Sequence, residues 1–136
     1  KAVEIGSGVL ASGSYGSEVQ DEISYDKKAR KFHRSSNRAG GLEGGITNGE
    51  DVVIRGYLKP ISTLRKPMGT ADMVTKEPVR AAYERSDWCV VPAGGVAGEA
   101  MVALVLADAF LQKFGGDSLA ETRRNFESYG RQIDEF

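Results

Sequence analysis

Every residue from Ala100 to Ala107 is apolar, and the run sits inside a longer segment, Gly95 to Phe114, that reads as one helix closed by Gly115-Gly116. Eight consecutive apolar residues cover more than two helical turns, so no polar face remains, and a helix apolar all round is buried on every side. The pure run is too short and its flanks too interrupted for a bilayer span, which takes about 20 apolar residues. A chain of 136 residues that also builds a sheet cannot easily cover both faces of such a helix. A further layer is expected, from a segment outside this sequence or from a partner.

The length fits one domain, and 40% hydrophobic with 27% charged residues are globular values. A net charge of −1 lacks the basic excess of a general nucleic-acid or membrane-surface binder. The single cysteine, in Trp88-Cys89-Val90-Val91, cannot form an internal disulfide; it suits a reducing compartment and reads as a buried structural thiol. With His33 the one histidine, no Cys/His metal set can be assembled. The chain opens directly in a strand pattern without Met or a signal sequence, as expected of a piece of something longer.

Residues 1–5 read as a strand ending at Gly6. Gly6 to Ala11 matches G-x-G-x-x-A, but the Ser12-Gly13-Ser14-Tyr15-Gly16 that follows is a poor helix. A dinucleotide site needs that helix, so a mobile Gly/Ser loop is expected instead. Val19–Ser24 and Lys31–Ser35 read as a hairpin around Tyr25–Lys28. Val52–Leu58 follows a tight turn at Asn48-Gly49 and ends at Lys59-Pro60, so residues 19–59 form an antiparallel meander. Residues 60–78, with three prolines, read as a long loop, Val79–Glu84 as a helical turn, and Trp88–Val91 as a short buried strand stopped by Pro92. Asp117-Ser118 with Glu121 is a capping-box arrangement. It opens an amphipathic helix carrying Leu119, Thr122, Phe126, Tyr129 and Ile133, to which no chemistry is assigned.

Three stretches are candidates for chemistry. Arg38 to Gly49 holds two Gly-Gly pairs and an Asn-Gly around Leu42 and Ile46; such density serves either a linker or a bulged strand that a ligand approaches closely. Lys59-Pro60-Ile61-Ser62-Thr63 brings an ammonium, two hydroxyls and free amides to one corner, suited to an anion, or is simply a solvated strand end. Arg85-Ser86-Asp87 precedes the apolar Trp88–Val91 segment, where a carboxylate is either tuned or an ordinary ion-pair partner. His33 lacks a nearby acid in sequence and reads as a surface strand residue. From the residues alone this is an anion- or cofactor-binding half-domain with no reaction specified.

These stretches, in this order and at this spacing, resemble chorismate synthase: Asn37 to Gly49, Lys59 to Thr63, Arg85 to Asp87 continuing through Pro92 to Met101, and Lys113 to Leu119. The likeness runs from Lys1 to about Tyr129, and the chain looks like the C-terminal portion of a longer enzyme. The resemblance implies a lyase of the shikimate pathway. The reaction is anti-1,4-elimination of phosphate from 5-enolpyruvylshikimate 3-phosphate to give chorismate, with reduced FMN undergoing no net redox change. It also implies a cytoplasmic homotetramer, with no nucleic-acid or membrane partner, and an N-terminal remainder carrying the catalytic histidines and most substrate-phosphate arginines. Gly44 matches a glycine whose backbone meets FMN. Lys59, Pro60, Ile61, Ser62 and Thr63 match a flavin-contacting loop, Arg85 matches a further flavin contact, and Asp87 matches the acid thought to handle a proton at the flavin's ring edge. Gln20, Trp88, Gly94 and Ala97 depart from the residues common in the family, and Trp88 adds bulk beside Asp87.

The expected fold class is α+β, an antiparallel β-sheet packed on helices and half of a β-α-β sandwich. Residues 1–59 would supply the sheet, 60–92 the flavin-site loop and buried strand, and 93–136 two helices. The alternative is a non-catalytic flavin- or anion-binding, or self-associating, fragment.

Overall fold

The structure, a computed structural model, describes residues 1–86 and 88–136. Its elements in order are β1 (Ala2–Ile5), a 3-10 turn (Gly8–Gly13), α1 (Gly16–Val19), β2 (Ile23–Asp26), β3 (Lys31–Arg34), β4 (Leu42–Glu43), β5 (Ile46–Thr47), β6 (Ile54–Tyr57), β7 (Gly69–Ala71), β8 (Pro78–Arg80), α2 (Val91–Phe114) and α3 (Leu119–Asp134). Strand pairing is antiparallel throughout the described residues, in four two-stranded ladders: β1 with β6, β2 with β3, β4 with β5, and β7 with β8. The expected α+β class with antiparallel strands against helices holds. The continuous meander over 19–59 does not, because β6 returns to pair with β1, opposing Ile54 to Ile5.

Local chemistry explains the other differences. The Gly/Ser segment after β1 is structured: the Glu4 carboxylate accepts the Val9 N–H at 3.1 Å, and the Glu18 carboxylate accepts the Tyr15 N–H at 2.9 Å at the start of α1. The hairpin turn of the glycine stretch lies at Gly44-Gly45 rather than Asn48-Gly49. Both Gly44 and Gly45 have positive φ, 59° and 79°, as a tight two-residue hairpin loop requires. The Asn48 side chain instead donates to the Glu43 carboxylate at 2.8 Å and accepts the Glu50 N–H at 3.0 Å.

The proline-rich loop contains the β7–β8 hairpin, closed by the Asp72 carboxylate, which accepts the N–H groups of Val74 and Thr75 at 2.8 Å each. The helical turn expected over 79–84 is therefore strand at its start. Trp88–Val90 is not a strand. Val91 opens α2, and Pro92 sits in its first turn, where a missing N–H costs nothing. A proline read as a strand stop is a helix start.

That early start gives α2 24 residues and a mean hydropathy of 1.6 over its most apolar window, long and apolar enough by length and composition to cross a membrane. The pure apolar run remains the eight residues Ala100–Ala107; it is the helix as a whole that reaches this length. None of its residues is buried within the chain. Neither is Cys89, which is exposed rather than buried. The helix packs on α3 through Phe110 and Phe114 against Phe126 and Tyr129, with ring centroids 5.2–5.5 Å apart, and Leu58 lies against Gly94. At the C-terminal end, α3 begins at Ser118, whose Oγ accepts the Glu121 N–H at 3.2 Å, and meets the β2–β3 hairpin through Lys31 and Asp134, 2.8 Å apart.

No hydrophobic residue is buried among the described residues. The chain exposes 11,727 Å², whereas a folded monomer of 14.6 kDa exposes about 6,900 Å². The excess, about 4,800 Å², means that the chain leaves far more surface uncovered than a compact monomer of its mass. The apolar helix is accordingly uncovered within this chain.

Candidate functional site

Below the base of the β7–β8 hairpin, the ladder continues by one hydrogen bond, from the Ala81 N–H to the Met68 carbonyl at 2.9 Å. The two legs then run on as irregular chain, 61–67 on one side and 82–86 on the other, with Trp88 beyond. Between them lies a cleft of about 520 Å³ lined by Arg65, Tyr83, Arg85, Ser86 and Trp88. An adjoining cleft of about 290 Å³ shares Arg65, Tyr83, Ser86 and Trp88 and adds Ile61, Thr63 and Leu64. The Arg65 guanidinium sits over the Trp88 ring, 3.9 Å from its centroid. Two guanidinium groups, the aliphatic hydroxyls of Thr63 and Ser86, and the aromatic side chains of Tyr83 and Trp88 therefore converge in a space of ligand size. That donor set fits a flat aromatic group carrying an anionic tail: guanidinium and hydroxyl donors match phosphate oxygens, and aromatic faces match a ring.

Of the residues singled out from sequence, Ile61, Thr63 and Arg85 are brought together here. Ser62 lies on the same leg, and Lys59 and Pro60 just before it; all three are exposed and outside the two linings. Gly44 is at the tip of the β4–β5 hairpin with φ 59°, and a Cβ there would meet nothing within 4 Å, so its backbone is open to close approach. Asp87 lies outside the described residues. His33 is exposed on β3 with its Nε2 2.9 Å from Ser24 Oγ across the ladder, a surface strand residue as expected.

Arg65 and Tyr83 stand in none of the three candidate stretches; Ser86 lies in one without a role of its own, and Trp88 reads from sequence as the start of a buried strand and as bulk beside Asp87. Part of the signal is in the alternation: Ile61, Thr63 and Arg65 on one leg, and Tyr83 and Arg85 on the other, recur at every second residue, whereas Leu64 and Ser86 break that period.

The glycine stretch is held in place by one carboxylate. Asp21 accepts Ser36 Oγ at 2.5 Å and the N–H groups of Arg38 and Ala39 at 2.8 and 2.9 Å. Partial desolvation pushes the Asp21 pKa up, but the combined hydrogen bonds from Ser36, Ala39 and Arg38 outweigh it and hold the group below the usual Asp value. Gly40 and Gly41, both at positive φ, are packed so closely that a Cβ at Gly41 would lie 2.5 Å from the Asp51 carbonyl oxygen.

The sequence model for chorismate synthase matches residues 1–111. The whole chain is 62% identical to the chorismate synthase of Solibacter usitatus and 59% identical to that of Koribacter versatilis, spanning 35% and 36% of their lengths. Its fold superposes on a crystal structure of chorismate synthase with a TM-score of 0.75 at 40% identity, over all of this chain and 33% of the other. The chain spans about a third of the proteins it matches, and it belongs to the chorismate synthase family.

Proposed function

We propose that the protein containing this chain converts 5-enolpyruvylshikimate 3-phosphate to chorismate by anti-1,4-elimination of phosphate, and that these residues form one wall of its reduced-FMN site. The carrying observation is that Arg85 and the pair Ile61 and Thr63, 22 positions apart at their nearest, line adjoining clefts whose guanidinium, hydroxyl and aromatic groups suit a phosphate and a ring. Bound reduced FMN supplies electron-rich character to the site and ends the turnover as it began.

The roles of this chain's residues follow from their chemistry. Lys59, Arg85, Ser62 and Thr63 donate to anionic oxygens and fix orientation. Ile61 and Pro60 give apolar contact, and the exposed backbone at Gly44 lets a flat ring lie close. Asp87 handles the proton that leaves the substrate as the carbon–oxygen bond to phosphate breaks. An N-terminal remainder supplies the histidines and the other phosphate ligands. It also covers α2, in a homotetramer in the cytoplasm; the observation behind this cover is that no residue of α2 is buried within the chain.

Joining this chain to its remainder, as one polypeptide or two, and assaying chorismate from the phosphate ester with reduced FMN under anaerobic conditions tests the proposal. Product formation is expected. A soluble, folded complex that makes none would reject it.

A further inference from the structure

We infer that Arg65 is an additional ligand for a phosphate monoester in this cleft, and that Trp88 is the positioning residue that holds it there; the inference rests on reading the cleft as part of the flavin site. Arg65 and Trp88 stand on opposite legs, 23 positions apart in the chain, and meet with the guanidinium 3.9 Å from the ring centroid. Both are exposed, Trp88 to 83%, so the contact is not a by-product of core packing. Arg85 lines the same cleft. Two guanidinium groups sharing a cleft repel one another, and a long exposed arginine is free to swing into solvent. The face of Trp88 supplies the opposing attraction, since indole is the strongest of the aromatic cation partners. A guanidinium carries its five N–H donors in its own plane, so contact with a ring leaves donors free for oxygen ligands. Ser86 and Thr63 add hydroxyl donors beside it. The resulting set of two guanidinium groups and two hydroxyls suits a dianionic phosphate monoester, carried either by FMN or by the substrate.

The test is made on the complete protein in two arms: FMN titrated alone by its fluorescence, and the phosphate ester titrated into FMN-saturated protein. Arg65→Gln is expected to weaken binding about tenfold or more in the arm whose phosphate it holds. Trp88→Leu is expected to weaken the same arm about two- to fivefold, and Trp88→Phe less than Trp88→Leu. In the Arg65→Gln background, Trp88→Leu should have no further effect, because it acts through Arg65. Unchanged affinity of Arg65→Gln in both arms overturns the inference, as does a Trp88→Leu effect that persists undiminished without Arg65. Arg85→Gln and Lys59→Gln separate the two levels. If they weaken FMN binding while Arg65→Gln changes neither arm, only this inference fails; if they too leave FMN binding unchanged, the flavin-site reading fails with it.

Discussion

The Asp21 carboxylate accepts the N–H of Ala39 at 2.9 Å across 18 positions of chain, and through it the glycine stretch is tied to the segment before β2. With Ser36 and Arg38 as further donors, one ionised side chain satisfies three groups of a loop that has few side chains to pack. Asp21→Asn removes the charge and exchanges one acceptor oxygen for a donor, so it is expected to cost about 1–3 kcal/mol in stability by denaturant unfolding of the complete protein. The pH dependence has a definite sign. The folded-state pKa of Asp21 is lowered from its ordinary 3.8, so its contribution is complete above that value and is lost as pH falls through the lower folded value. Wild type should lose stability in that acid window, and Asp21→Asn should lose less.

The glycines divide into two kinds. At Gly6 a Cβ would overlap the Arg38 carbonyl oxygen, and at Gly41 it would collide with Asp51. Gly44 faces open space, and only its φ of 59° is unfavourable to a side chain. Gly6→Ala and Gly41→Ala are expected to destabilise by more than about 3 kcal/mol, against about 1–2 kcal/mol for Gly44→Ala. If the Gly44 backbone meets the flavin, Gly44→Ala should also weaken FMN binding out of proportion to its stability loss. Thermal unfolding and flavin titration of the same samples check both halves.

Asp87→Asn in the complete protein should bind FMN as wild type does and lose most of its turnover, about 100-fold, the range for removal of a positioned proton-transfer group. A steady-state rate equal to wild type would remove Asp87 from the proton-transfer step.

Made alone, the 136-residue chain should self-associate. It leaves α2 without a single buried residue and exposes Leu104, Val105 and Leu111 at 56% or more. Static light scattering should give a mass above 14.6 kDa that rises with concentration. A monomer across the range would show that the chain rearranges to cover the helix by itself.

Sequence alone determined the local and the categorical features. Unbroken apolarity from Ala100 to Ala107 required a helix needing cover on all sides, the step pattern from Leu119 to Ile133 gave α3 with Ser118 at its cap, and the ordered motifs gave the family. Those signals depend on neighbours within a few residues, where propensity and periodicity act. Tertiary structure decided what depends on distant partners. It determined that β6 returns to β1 and that Gly44-Gly45 rather than Asn48-Gly49 makes the turn. It also showed that Pro92 begins a helix, and that Arg65 and Trp88 meet across a cleft. Pro92 shows the physical reason: a residue without an N–H is equally at home after a strand and in the first turn of a helix, and only the residues that go on to hydrogen-bond around it choose between them.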